Sequence, residues 1–182
     1  MPAPKPKAKA VRSDSVKNRA AVLDAATAVF AQHGADASTE QIAARAGVGV
    51  GTVFRHFPTK NELLEAVLAR MLEELAAFAR ARLDDKDAGD AFFRALERVV
   101  DAAHAKKAVA DGLISAGVEI RRRAWAAGLR EAVAALLARA QKKKAVRDDV
   151  TIDHVMALVA AASRAQDETV VAVIFDGLRR SR

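Results

Sequence analysis

The chain has 182 residues, with 30 Lys and Arg against 23 Asp and Glu for a net charge of +7, and it is 52% hydrophobic. That apolar content excludes an intrinsically disordered chain, and the length suits one ordinary domain or two small ones sharing a core. With no Cys, a disulfide scaffold and any thiolate zinc site are excluded as well. Ala fills 44 positions while Gly has nine, Pro four and Tyr none, a balance that favours helix over sheet. The expectation is a soluble, all-helical, cytoplasmic protein.

Residues 1–60 hold nine Lys or Arg and four Asp or Glu, whereas residues 61–182 hold 21 and 19. The first third thus carries most of the excess, as expected of a part that meets a polyanion, although a basic tail alone gives the same asymmetry. No uninterrupted apolar run approaches the roughly 20 residues needed to span a bilayer. The start is basic, with no apolar signal-peptide core behind it. Three Pro in the first six residues argue against helix. Residues 1–13 therefore read as a disordered basic arm, either a solubilising tail or a segment that reaches DNA phosphates.

The first strong helical period covers 16–33, where Val22, Ala25, Ala26, Val29 and Phe30 recur at three and four. Ser13, Asp14 or Ser15 can cap its start, and Gly34 supplies a stop. Ser38 or Thr39 opens a short helix over 39–46, with Glu40 or Gln41 near the capping-box position. That helix ends at Gly47, and a second short one covers 49–56 before Pro58. Thr59 starts a long helix over 61–82, on the order of 35 Å at ~1.5 Å per residue. After the polar break at 84–90, further helices are predicted at 88–106, 108–117, 119–143, 151–164 and 167–180.

Two of these helices carry the functional signal. Ala43 is small where the second helix must cross close above the first, and Gly47 permits the positive φ that the turn requires. Ile42, Val48 and Val53 can then pack inward, leaving the outer face of the second helix free. This is helix-turn-helix logic, in which that second helix enters the major groove.

The stretch from Phe30 to Leu64, above all Thr-Val-Phe-Arg-His-Phe-Pro-Thr-Lys-Asn-Glu-Leu-Leu, resembles the DNA-binding domain of the TetR/AcrR family of bacterial transcriptional regulators. Gly51, Thr52, Val53, Arg55, His56, Phe57 and Lys60 fit the family pattern as they stand, over a match of roughly residues 15–66. The resemblance implies an all-α fold. A three-helix DNA-binding domain over 14–60 is joined by a long fourth helix to a helical effector-binding and dimerisation domain over 61–182.

It also implies residue roles. Thr39 starts a helix whose hydroxyl and free N–H groups can hold a phosphate. Val50, Gly51 and Thr52 meet base edges, where Gly51 allows close backbone approach and Val50 and the Thr52 methyl can touch thymine methyls. Arg55, His56 and Lys60 are placed for phosphates. Two departures stand out. Phe54 occupies the usual Tyr position and lacks a phenolic donor, and Val50 stands where polar side chains often read bases. Apolar contacts, Thr52 and DNA shape would then carry specificity. If the Phe54 ring faces phosphate, Phe54→Tyr strengthens binding; if it faces the core, affinity is unchanged. Phe57 is expected in the core, and Arg45 as a solvated charge.

Residues 84–182 show no family-wide pattern. Ile152, Val155, Met156, Leu158, Val159 and Ala162 cover more than one helix face, and Val170 to Leu178 is nearly continuously apolar. Terminal helices apolar all round must be buried all round. A four-helix homodimer interface would do that, through Val155, Leu158, Val159, Ala162, Val170, Val173, Ile174, Gly177 and Leu178, with Ala157, Ala160 and Ala161 allowing close approach. Candidate effector contacts are Phe78, Phe92, Phe93, Leu96, Val100, His104, Leu113, Trp125, Leu129 and Met156, each also readable as ordinary core. Trp125 and His104 carry polar groups that need partners when buried. Their composition suits a small apolar or aromatic effector. The runs 121–123 and 142–144 read as exposed charge, with an acidic partner as the other reading.

The leading function is a repressor that a small molecule releases from a palindromic DNA operator. Alternatives are an activator, a regulator without an effector, and a helical adaptor that has lost DNA binding. Enzyme chemistry is not supported. His33, His56, His104 and His154 form no metal-binding spacing, and there is no nucleophile elbow, P-loop or Cys. No cofactor and no metal site are expected, nor any membrane partner.

Overall fold

The structure, a computed structural model, describes residues 7–105, 119–165 and 167–180. Helix α1 spans Lys7–His33, so residues 7–13, expected in the basic arm, belong to the first helix. Lys and Ala are both good helix formers, and propensity extends the helix beyond its apolar stripe. Residues 1–6 of the arm lie outside the described residues. A short 3-10 turn, Gly34–Asp36, begins at a Gly with φ of 56°.

Helix α2 (Thr39–Ala46) opens on a reciprocal cap. The Gln41 N–H donates to Ser38 Oγ at 3.2 Å, and the Ser38 N–H donates to Gln41 Oε1 at 2.9 Å. It closes on Gly47, whose φ of 67° is left-handed. The Gly47 N–H donates to the Ala44 carbonyl at 3.2 Å and Val48 N–H to the Ala43 carbonyl at 3.1 Å. Helix α3 spans Val50–His56, and α4 spans Lys60–Arg80. Thr59 Oγ1 accepts from the Glu62 N–H at 3.1 Å at the start of α4.

The described residues fall into two compact units, the first running to Leu68 and the second beginning at Ala69. The boundary therefore lies inside α4 and not ahead of it at residue 60. Leu63, Leu64, Val67 and Leu68 are buried, which is why the first turns of α4 are needed to close the first unit. Its core also holds Val22, Ala26, Phe30, Ile42, Ala43, Val53 and Phe57, with Phe30 and Val22 wholly inaccessible. The apolar stripe of α1 supplies the floor on which α2 and α3 pack.

The second unit contains α5 (Ala88–Ala105), α6 (Glu119–Lys142), α7 (Ile152–Ala162) and α8 (Glu168–Asp176). The helix expected at 108–117 lies outside the described residues. Phe92, Leu96, Val100, Leu129, Val133, Leu136, Val155, Val159, Phe175 and Leu178 share one core. The Phe92 and Phe93 rings meet edge to face at 5.2 Å, and the Arg179 guanidinium lies 4.1 Å from the Phe93 ring centre. Thr151 caps α7 through its hydroxyl, which accepts from the His154 N–H at 3.3 Å, while His154 Nδ1 accepts from the Thr151 N–H at 3.2 Å. Asp167 caps α8; the Thr169 N–H at 2.7 Å holds its carboxyl below the usual carboxylate range.

Helix α8 ends at Asp176, four residues before the expected end. Beyond it the chain pairs in an isolated antiparallel bridge between Val146 and Arg179, with the Arg147 N–H donating to the Leu178 carbonyl at 3.1 Å. Arg180 pairs with Asp148 and so ties the same two segments through charge, while Lys144 pairs with Asp148 within its own segment. None of the helices among the described residues is long and apolar enough to cross a membrane.

The Gly47 turn is a testable weak point. A Cβ there has open space, so the φ of 67° alone penalises Gly47→Ala. We expect a loss of about 1 kcal/mol in chemical denaturation monitored by circular dichroism. Gly49→Ala, also sterically open and without positive φ, should be milder.

Candidate nucleic-acid interface

With Ile42, Ala43, Val53 and Phe57 all buried, the inward sides of α2 and α3 are settled. Val48, in the turn between them, is half-buried as expected. What remains of α3 faces outward. Gly51, Phe54 and Arg55 are exposed, and Val50, Thr52 and His56 are half-buried. Phe54 keeps 45% of its surface accessible, so the core alternative for its ring does not hold. A Cβ built at Gly51 meets nothing within 4 Å, so no protein contact requires glycine there.

The helices of the first unit also carry accessible cations. Arg45 near the end of α2 and Arg55 on α3 are exposed, and Lys60 is half-buried at the start of α4. The Arg19 guanidinium sits 5.0 Å from the Phe57 ring centre, so α1 contributes a cation against the ring beneath α3. His56 lies 6.5 Å from the same ring, half packed and half open. All eight residues named from the sequence for DNA, from Thr39 to Lys60, therefore sit in the first unit with accessible surface.

The start of α2 holds a feature that sequence reasoning missed. Thr39 is half-buried at the first helical position, but the neighbouring donors are already engaged. The Glu40 carboxylate takes its own backbone N–H and then the Ser38 hydroxyl, which hold its carboxyl below the usual range. A carboxylate thus competes for the spot where a phosphate would bind. The signal was legible as an acid in the first turn.

In the second unit the candidate effector residues do not converge. Phe92, Leu96 and Leu129 are core, and none of them, nor half-buried Met156, lines any of the three cavities found among the described residues. Phe78 lines a cavity of about 130 Å³ with Met71, Glu74, Leu75, Arg98 and Ala102. The Arg82 guanidinium covers its ring at 3.3 Å. Val100 borders an open groove of about 750 Å³ rimmed by Glu97, Asp101, Asp167 and Glu168. Phe93 borders another of about 690 Å³ among Asp90, Arg94 and Arg179. Leu113 and the side chains of His104 and Trp125 lie outside the described residues. Apolar periodicity finds the inward face of a helix and is blind to whether that face is filled.

The candidate dimer residues divide sharply. Val155, Val159, Ala162 and Leu178 are buried in the unit's own core, which removes them as contact surface. Leu158 and Ile174 are half-buried, Gly177 is exposed, and Val170 and Val173 keep 45% and 66% of their surface accessible. Ala157, Ala160 and Ala161 are exposed on α7.

Comparison with known proteins agrees with this geometry. The model of bacterial regulatory proteins of the tetR family matches residues 22–67, and that of the SbtR-like transcriptional regulator C-terminal domain matches 87–180. The chain is 37% identical to a TetR transcription regulatory protein from Mycobacterium vanbaalenii, over 93% of this chain and 99% of that one, with a TM-score of 0.78. TetR regulator SCO0520 from Streptomyces coelicolor gives 30% identity and a TM-score of 0.75, over 90% and 99%. Among curated relatives, the transcriptional repressor Rv3405c of Mycobacterium tuberculosis is 44% identical over 80 residues, 43% of this chain and 40% of the relative. The repressor LfrR of Mycolicibacterium smegmatis is 46% identical over 68 residues, 37% and 35% of the two chains. The matches to these two repressors thus span two-fifths of their length or less. The chain belongs to the TetR family, whose members are DNA-binding transcriptional regulators and not enzymes.

Removing the competing carboxylate should help DNA. Glu40→Gln is expected to tighten binding to duplex DNA by about two- to five-fold at low salt, as read by fluorescence anisotropy. The gain should shrink as salt is raised.

Proposed function

We propose that this protein is a dimeric repressor whose two α3 helices enter successive major grooves of a palindromic operator, and that a small apolar or aromatic effector releases it. The observation that carries the DNA reading is the exposed outer face of α3, with Val50, Gly51, Thr52, Phe54 and Arg55 accessible above a fully buried inner face. Thr39, Arg55, His56 and Lys60 hold backbone phosphates, which fix register, while residues 50–52 meet base edges. Rv3405c and LfrR, both named as repressors, favour repression over activation.

The homodimer reading rests on the apolar side of α8 left open by the unit's own packing, Val170 and Val173, beside the small exposed residues of α7. A second copy covers it, and two recognition helices about 34 Å apart then match one turn of DNA. Release needs an effector that binds one conformation better than the other. The cavity beside Phe78, about 130 Å³, is smaller than the ~300 Å³ at the low end of ligand sites. An effector that enters by widening it selects the wider conformation, which is the differential affinity required.

Selection of genomic fragments by the purified protein at roughly 150 mM salt, followed by footprinting, tests the reading, because phosphate contacts make weak binding salt-sensitive. A protected palindrome with half-sites about ten base pairs apart is expected. Diffuse binding that vanishes with added salt would overturn it. Val173→Asp should yield a monomer in sedimentation and reduce operator affinity to that of a single half-site, with helix content unchanged.

A further inference from the structure

The outer face of α3 is poor in hydrogen-bonding groups. Val50 and Phe54 are four residues apart and Gly51 and Phe54 three apart, so all three lie on one side of the helix. Phe54 is 45% exposed, and the space beside Gly51 is open. The open part of this side is the Phe54 ring and the backbone at Gly51, with Val50 half-buried beside them. Arg55 follows Phe54 on the same helix and is exposed, as is Arg45 on α2. Such a surface complements a polyanion whose middle offers hydrocarbon.

In the major groove, base edges present donors and acceptors at every pair, but only thymine presents a methyl group. Bidentate reading of adenine or cytosine needs Asn, Gln, Asp or Glu, and residues 49–57 contain none of these. Within α3 only Thr52, Arg55 and His56 carry hydrogen-bonding side chains, and Arg55 and His56 fall in its last turn.

We propose that Val50 and Phe54 read the 5-methyl groups of operator thymines, so that the operator is chosen chiefly by where its thymines stand. This rests on the operator-binding reading above. The chemistry recognised is the 5-methylpyrimidine, not the T·A pair, because 5-methylcytosine places the same methyl at the same point of the groove. Phe54 serves this better than a Tyr would, since a phenol against a methyl group leaves its hydroxyl without a partner.

The test uses the full-length protein and its selected operator, with each half-site thymine replaced by deoxyuridine. That change removes the methyl and keeps both the O4 acceptor and the base pairing. Affinity is expected to fall about four-fold for each methyl buried against Val50 or Phe54. Replacing a cytosine by 5-methylcytosine at a contacted position where the selected sites vary should raise it by a similar factor. Val50→Ala and Phe54→Ala should each bind thymine and deoxyuridine operators equally at their own position, with unchanged thermal melting. Equal binding of both operators by the unsubstituted protein, with its footprint intact, would overturn the methyl reading and leave the regulator standing. Deoxyuridine sensitivity that survives in both variants would also overturn it. Absence of any protected operator would overturn both readings.

Discussion

The direction in which α3 leaves α2 is set at one residue, Gly47, where φ is 67° and two backbone hydrogen bonds close the helix behind it. Side chains carry a cost of roughly 1–2 kcal/mol in that conformation, and glycine does not. Because the turn is short, its geometry transfers directly to the next helix. Rotating α3 about its axis would bring Phe54 inward and Val53 outward, exchanging a buried residue for an exposed one. The burial of Ile42, Ala43 and Val53 against α1 holds the turn in place, and the turn in turn holds the outer face of α3 open.

That arrangement was legible because its signals are local. A hydroxyl with an acid or amide three residues on, a small residue before the turn, and a glycine at the turn each act over a few residues. The predicted span 39–46 is the observed α2, and 49–56 differs from α3 only by its cap, Gly49. The N-terminal arm was misjudged because three prolines dominated the reading. Residues 7–13 are helical, and Lys and Ala carry the helix there without any apolar stripe. The boundary of the first unit was drawn too early for a different reason: a helix start is visible in sequence, while the share of that helix used by each unit depends on packing across long separations.

The second unit was less legible, and its residues show why. Residues 152–178 are apolar on more than one face, which the sequence reads as one face turned inward and the other on a partner chain, without saying which residues belong to which. Val155, Val159, Ala162, Phe175 and Leu178 instead complete the unit's own core, because α5 and α6 present a matching surface from far away in the chain. What remains for a partner is smaller, chiefly Val170 and Val173 on α8. The His154 cap and the Val146–Arg179 bridge are likewise settled by neighbours that no periodicity encodes.

The two kinds of surface left over differ in what they demand. The side of α8 is hydrocarbon among small residues, and it can be satisfied by any complementary apolar face, including its own copy. The face of α3 sets the exposed Phe54 ring next to the exposed Arg55 guanidinium, which a protein core cannot satisfy without stranding the charge. In the proposed reading DNA meets both requirements at once, since its phosphates pair with the guanidinium while the groove floor supplies methyl groups. The same logic explains Glu40. Its carboxylate takes N–H and hydroxyl donors at the α2 N-terminus in the absence of DNA, and in the proposed reading it opposes a phosphate when DNA arrives. Stability of the free protein and affinity for its operator therefore pull in opposite directions at this residue, and non-specific DNA, which offers phosphate contacts alone, is disfavoured most.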